Sequence, residues 1–307
     1  MKQTSRAWIT TAAVAVLILL LGGVYLYTQV ISGVLVGYGA SPVPDGAPLP
    51  IETLEIPAGF TIEQYARAEG ARSLALGENG VVFVGSMAAG KVYALVPTDA
   101  GVETRIIDDN LERPNGIAYK DGDLYVVEPF RILVYRNIMR GSPDQPEVLF
   151  TDFPPEPDHE WRYVAFGPDG KLYIALGMPC NVCERPDPYG TIVRMDVKNP
   201  ERGYEIVARG IRNSVGFDWD PKTKELWFTD NGRDWMGDDS PGDELNRVTV
   251  EGQHFGFPYC QQGNIQDPDV GSGRSCDEFK APEQVLGPHV AALGMAFVPD
   301  SWPAQYQ

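Results

Sequence analysis

Residues 164–175 read Val164-Ala-Phe-Gly-Pro-Asp-Gly-Lys-Leu-Tyr-Ile-Ala175. An apolar run, a Gly/Asp turn and a second apolar run predict a β-hairpin. Glycine and aspartate supply the turn conformations, and β-branched and aromatic residues suit a pleated sheet. The unit recurs as SLALGENGVVFV at 73–84, GIAYKDGDLYVV at 116–127 and, lengthened, GFDWDPKTKELWFT at 216–229. Gly294-Met-Ala-Phe-Val-Pro-Asp300 starts another. Lys91-Val-Tyr-Ala-Leu95, Ile132-Leu-Val-Tyr135 and Thr191-Ile-Val-Arg-Met195 read as third strands of the same units. The turn glycines Gly80, Gly122 and Gly170 recur at roughly the 40–50 residues of a propeller blade. The expected fold is an all-β propeller, with four blades and the start of a fifth in this chain. Propellers close into a ring, so the sequence is expected to be truncated before its last blades.

The 307 residues are 43% hydrophobic, enough for a sizeable core, and rich in Gly and Pro. The formal net charge is −17. That argues against a nucleic-acid partner, which needs a basic face. The acidity fits either solubility or calcium binding, and composition does not separate the two.

Lys2 and Arg6 precede an uncharged run from Ala7 to Pro44, most apolar at 12–27, AAVAVLILLLGGVYLY. Residues 1–28 are therefore expected to form an N-terminal transmembrane helix or uncleaved signal, with the bulk of the chain outside. The expected location is the periplasmic side of the cytoplasmic (inner) membrane; secretion after signal cleavage is the alternative. Residues 29–56 end in a Pro/Gly-rich linker, and 57–307 are the propeller domain, with GFTIEQYA at 59–66 as its first strand. Export favours disulfides. Cys180 with Cys183, and Cys260 with Cys276, are the simplest pairings. Glu184 stands where c-type haem attachment needs a histidine, and a zinc site would need four clustered ligands.

Three loops carry candidate chemistry. Pro157-Asp-His-Glu-Trp-Arg162 holds His159, whose neutral imidazole can take a proton near neutral pH; alone, such a loop histidine is more often a packing residue. Arg212-Asn213 offers a carboxylate-binding fork beside an amide. The turn at Asn231-Gly232 exposes backbone carbonyls that suit a hard cation. Asp234, Asp238, Asp239, Asp243 and Glu244 follow it, as ligands or as a solvated acidic loop.

The wording from Gly210 to Pro258, with Asp-His before Gly167-Pro168-Asp169, resembles the PQQ-dependent sugar dehydrogenase family, which includes soluble glucose dehydrogenase and sorbosone dehydrogenase-like proteins. The resemblance implies a six-bladed β-propeller that oxidises an aldose or related sugar or polyol with PQQ and calcium. It makes His159 the general base. Arg212, Asn213, Asn231 and Asp243 become cofactor-binding residues. Calcium falls to the backbone carbonyls of Gly232 and Arg233, with Asp234 and Glu244. Electrons would pass to a membrane quinone or cytochrome. One position departs from the pattern: the base-orienting Asp of soluble glucose dehydrogenase is Met178 here, with Glu160 or Glu184 as possible substitutes. The PCNVC wording is more like the sorbosone branch. Two other functions compete. One is a calcium-dependent lactonase-type hydrolase, using Asn115 and Asn213; the other is a non-catalytic binding propeller.

Overall fold

The structure, a computed structural model, describes residues 51–141, 145–154 and 159–302. The expected membrane helix and most of the linker lie outside the described residues. No helix among the described residues is long and apolar enough to cross a membrane. Two compact units divide at residue 62. In the first, Ile51–Thr53 form a 3-10 turn. The second, from Glu63 onward, contains every strand among the described residues.

The larger sheets of that unit, four among the described residues and built mainly of antiparallel strands, are blades of a β-propeller. Blade one is β1 (Ala71–Leu76), β2 (Val82–Ser86), β3 (Val92–Thr98) and β4 (Gly101–Asp108), in that order. Blade two is β5 (Gly116–Lys120), β6 (Asp123–Val127), β7 (Ile132–Tyr135) and β8 (Glu147–Phe150). Blade three is β9 (Val164–Phe166), β10 (Leu172–Leu176), β11 (Thr191–Met195) and β12 (Tyr204–Arg209), with the short β16 (Gln253–His254) added parallel to β12. Blade four is β13 (Phe217–Trp219), β14 (Leu226–Asp230), β15 (Gly242–Arg247) and β19 (Gln284–Pro288). Between β15 and β19 an insertion forms the hairpin β17 (Cys260–Gln261) and β18 (Ile265–Gln266). Each hairpin read from the sequence is present, and each third strand pairs with its second.

The blades are stacked because their middle strands are apolar on both faces, as strands covered on both sides must be. In β10, Leu172, Ile174 and Leu176 pack toward Val127, Ile132 and Val134 of blade two. The alternate residues Tyr173 and Ala175 pack toward Phe217, Leu226 and Phe228 of blade four. In β6, Leu124 and Val126 meet Phe83 and Val92 of blade one, while Tyr125 and Val127 face blade three. The two-residue period thus divides each strand between two interfaces.

Two expected strands are absent. Residues 59–66 form no strand, and residues 294–300 do not open a fifth blade. A strand needs a neighbour for its ladder. Residues 294–300 instead run against the inner strand of blade four. Phe297 N–H donates to Asp218 Oδ2 at 2.9 Å, and the Phe297 ring meets Trp227 edge-on.

Candidate active site at the loop end of the blades

The loops leaving the second strands and those entering the first strands meet from blade to blade. Ser86 N–H bonds Pro114 O, Arg162 bonds Pro129 O, and Met178 N–H bonds Arg212 O at 2.8 Å. Asn115 Nδ2 donates to Arg162 O across the same end. His159, Arg212, Asn213 and the turn at Asn231-Gly232 therefore share one end of the molecule. Pro157 and Asp158 of the histidine loop lie outside the described residues.

His159 sits at φ 43°, a left-handed conformation. Gly177 makes room for it: a Cβ there would stand 2.5 Å from His159 Cβ. The ring nitrogen Nδ1 lies 2.8 Å from Met178 O. A carbonyl only accepts, so Nδ1 carries the proton and the basic lone pair is on Nε2. Where the resemblance expects a carboxylate at position 178, the Met178 backbone carbonyl meets the ring. The two expected substitutes have partners of their own. Glu160 pairs with Arg113, and Glu184 lies beside the Tyr259 hydroxyl.

Arg212 is 6% exposed, and all five of its N–H donors are spent inside the protein. Nε bonds Asn181 O (3.0 Å). Nη1 bonds Asn231 O (3.3 Å) and Gly232 O (2.8 Å). Nη2 bonds Asn181 Oδ1 and Asp234 Oδ2, both at 3.0 Å. Burial lowers the Arg212 pKa, and Asp234 and Asp230 oppose that shift. Beneath it, Asp230 accepts the backbone N–H groups of Arg212 (2.9 Å) and Asn213 (2.7 Å). Asp230 and Glu244 pair across β14 and β15. Burial raises both carboxyl pKa values, and their neighbouring carboxylates add to it. Arg212, Asp230, Asn231, Gly232 and Glu244 border a cavity of about 10 Å³, room for about one water.

The other expected site residues are differently employed. Asp243 bonds the N–H groups of Gly232 and Ala291, each at 2.7 Å, so it fixes backbone rather than facing a ligand. The Arg233 side chain turns away to Asp267 and Asp269, each at 2.8 Å, tying its loop to the β17–β18 insertion. The expected calcium ligands have protein partners here. The Gly232 carbonyl faces the Arg212 guanidinium, and Asp234 is paired with it. Among the described residues no group of three or more His, Cys, Asp or Glu is spaced to hold a metal. Both expected disulfides are formed, with Cα separations of 6.2 Å for Cys180–Cys183 and 5.5 Å for Cys260–Cys276. Sequence reasoning missed Asp230 and Asn181. The signals were there: a carboxylate closing a buried strand, and an amide enclosed by a C-x-x-C.

Two buried side-chain donors at this end have no partner among the described residues: Trp161 Nε1 and Ser214 Oγ. Trp161 stands edge-on to His159, ring centres 6.2 Å apart. An unpaired buried donor costs about 1–3 kcal/mol, which a bound acceptor would recover.

The fold and this end define a β-propeller whose loop end carries a histidine and a buried arginine. Comparison with known proteins is more specific. The family model described as Glucose / Sorbosone dehydrogenase matches residues 134–307. An uncharacterized protein of Borreliella burgdorferi is 31% identical over 270 residues, 83% of this chain and 70% of that one. The chain belongs to the glucose/sorbosone dehydrogenase family, whose members are sugar-oxidising oxidoreductases. Among solved structures it is similar to the holo form of the pyranose dehydrogenase PQQ domain from Coprinopsis cinerea. That match has a TM-score of 0.64 and 16% identity, over 74% of this chain and 68% of that one. It is also similar to the calcium structure of a Trichoderma reesei protein of Carbohydrate-Active Enzymes Family AA12. Here the TM-score is 0.61 and the identity 19%, over 73% of this chain and 69% of that one. At such identities these two likenesses bear on the fold.

Proposed function

We propose that this chain oxidises an aldose or a related sugar or polyol with PQQ bound at the loop end of the blades. The observation that carries the reading is the His159–Met178 hydrogen bond, which sets the histidine in the tautomer a general base needs. The chain's donors fit a polycarboxylate quinone: Arg212 supplies positive charge, and Ser214 and Trp161 have unspent donors. Bound there, PQQ supplies a two-electron acceptor for the substrate's hydride. His159 Nε2 takes the substrate hydroxyl proton. The Met178 carbonyl holds the ring in place and favours the imidazolium that results. Arg212 holds the cofactor's anionic edge. Because its five donors are filled, one partner must yield, and Asp234, with a side chain 60% exposed, is the one a cofactor carboxylate replaces.

Calcium would need the Gly232 carbonyl, which first has to be released by Arg212. In this reading Asn213, buried beside Arg212, would hydrogen-bond the cofactor. The natural electron acceptor in this reading is a membrane quinone or cytochrome, reached from the periplasmic face. The test is direct: incubate the full chain with PQQ, with and without calcium, and assay aldoses and polyols using an artificial electron acceptor. PQQ-dependent turnover supports the reading. Absence of PQQ binding sinks it, and lactone hydrolysis without PQQ would put a lactonase-type hydrolase in its place.

A further inference from the structure

Asn181 lies inside the four-residue ring closed by Cys180 and Cys183. It makes four hydrogen bonds, all to the Arg212 and Asp234 loops. Its Oδ1 accepts from Arg212 Nη2 (3.0 Å) and from Asp234 N–H (2.7 Å). Its Nδ2 donates to Asp234 O (3.1 Å), and its backbone carbonyl accepts from Arg212 Nε (3.0 Å). We propose that Asn181, held by the Cys180–Cys183 ring, is the positioning residue that aims the Arg212 guanidinium and pins the loop after β14 beside it. The proposal rests on the reading of Arg212 as the cofactor's cation.

The residue type suits the task. An amide offers an acceptor and a donor on one rigid plane, and Asp234 presents both a backbone N–H and a carbonyl for it to bond. The ring matters for an entropic reason. A four-residue loop of unconstrained chain samples many conformations, and a local cross-link removes most of them. Arg212 has a flexible stem, and a fork held at two of its three nitrogens keeps one orientation. Without the Asn181 side chain it keeps the residue-181 backbone carbonyl on Nε, the carbonyls of Asn231 and Gly232 on Nη1, and only the exposed Asp234 carboxylate on Nη2. The guanidinium could then turn with that loop.

The test uses the full chain with Asn181→Ala, Asn181→Asp and the double change Cys180→Ser/Cys183→Ser. One arm needs no cofactor: hydrogen exchange of peptides spanning residues 231–236. Asn181→Ala and the double serine variant should raise exchange at the Asp234 amide on the order of tenfold. Asn181→Asp keeps the acceptor for the Asp234 N–H but loses the donor to the Asp234 carbonyl, so its exchange should rise less than in Asn181→Ala. The other arm is PQQ titration followed by fluorescence. Loss of an orienting partner should raise the Kd for PQQ on the order of tenfold in Asn181→Ala, with kcat recovering at saturating PQQ. Unchanged exchange in Asn181→Ala overturns the proposal. So does raised exchange with unchanged PQQ affinity, which would leave Asn181 as a loop staple only. If the wild type binds no PQQ, the proposed function fails, and the exchange arm still decides whether Asn181 orders the Arg212 loop.

Discussion

At the scale of single residues, the site is governed by where hydrogen bonds are already spent. His159 has its Nδ1 proton committed to the Met178 carbonyl, so in the proposed reading it acts as a base through Nε2. A carbonyl partner orients the ring without adding the full negative charge of a carboxylate. His159→Ala should lower kcat by about 10²-fold or more with a small change in KM, because the base acts in the transition state. Steady-state kinetics of the PQQ-loaded protein checks this. Arg212 is a hub of five bonds, and lysine, with three donors on a point charge, cannot fill its place. Arg212→Lys should weaken PQQ binding and cost about 3 kcal/mol of stability, measurable by denaturant unfolding. His159 and Arg212 could be recognised from their neighbours in the chain. The employment of Asp243 and Arg233 could not, since their partners, Ala291 and Asp267, are remote in sequence.

At the scale of elements, β14 and β15 carry an unusual pair. Their register sets Asp230 opposite Glu244, two buried carboxyls with folded pKa values above the unfolded ones. The sign follows from linkage. In the window between the unfolded values near about 4 and the raised folded values, the native state holds more protons than the unfolded state. Stability therefore falls as pH rises from about 4 into the neutral range. Glu244→Gln should flatten that fall. Thermal melts between acid and neutral pH, run in chelator, check it, and an unchanged slope would remove Glu244 from the account. The middle strands show a different dependence. Ile174 is fully buried between blades two and three, and Ile174→Ala should cost about 2–5 kcal/mol. Val148, 52% exposed on β8, should tolerate alanine within about 0.5 kcal/mol. The hairpins were legible because each has its own turn and its own alternation. The residues at 59–66 and 294–300 have similar composition. They form no strand because pairing depends on a neighbour, which local sequence does not report.

At the scale of the whole molecule, repetition explains why the fold was readable and the site only partly so. Every blade interface repeats one arrangement, so a pattern seen once at 164–175 locates the others. The site is built where the repeats differ: a disulfide ring after β10, an acidic loop after β14 and an insertion between β15 and β19. The Cys260–Cys276 disulfide closes that insertion, and Arg233 ties it to the site loop through Asp267. Removing this bridge by Cys260→Ser/Cys276→Ser should cost about 3 kcal/mol, from the loop it closes.

The most direct measurement of the central claim is a single turnover. The PQQ-loaded protein is mixed with an aldose in the absence of oxygen and of any acceptor, and the cofactor's absorbance is followed. The account predicts reduction of one PQQ per chain in the wild type, slowed about 10²-fold in His159→Ala. A wild-type cofactor left oxidised by every aldose and polyol tried, or equal rates in the two proteins, would contradict it.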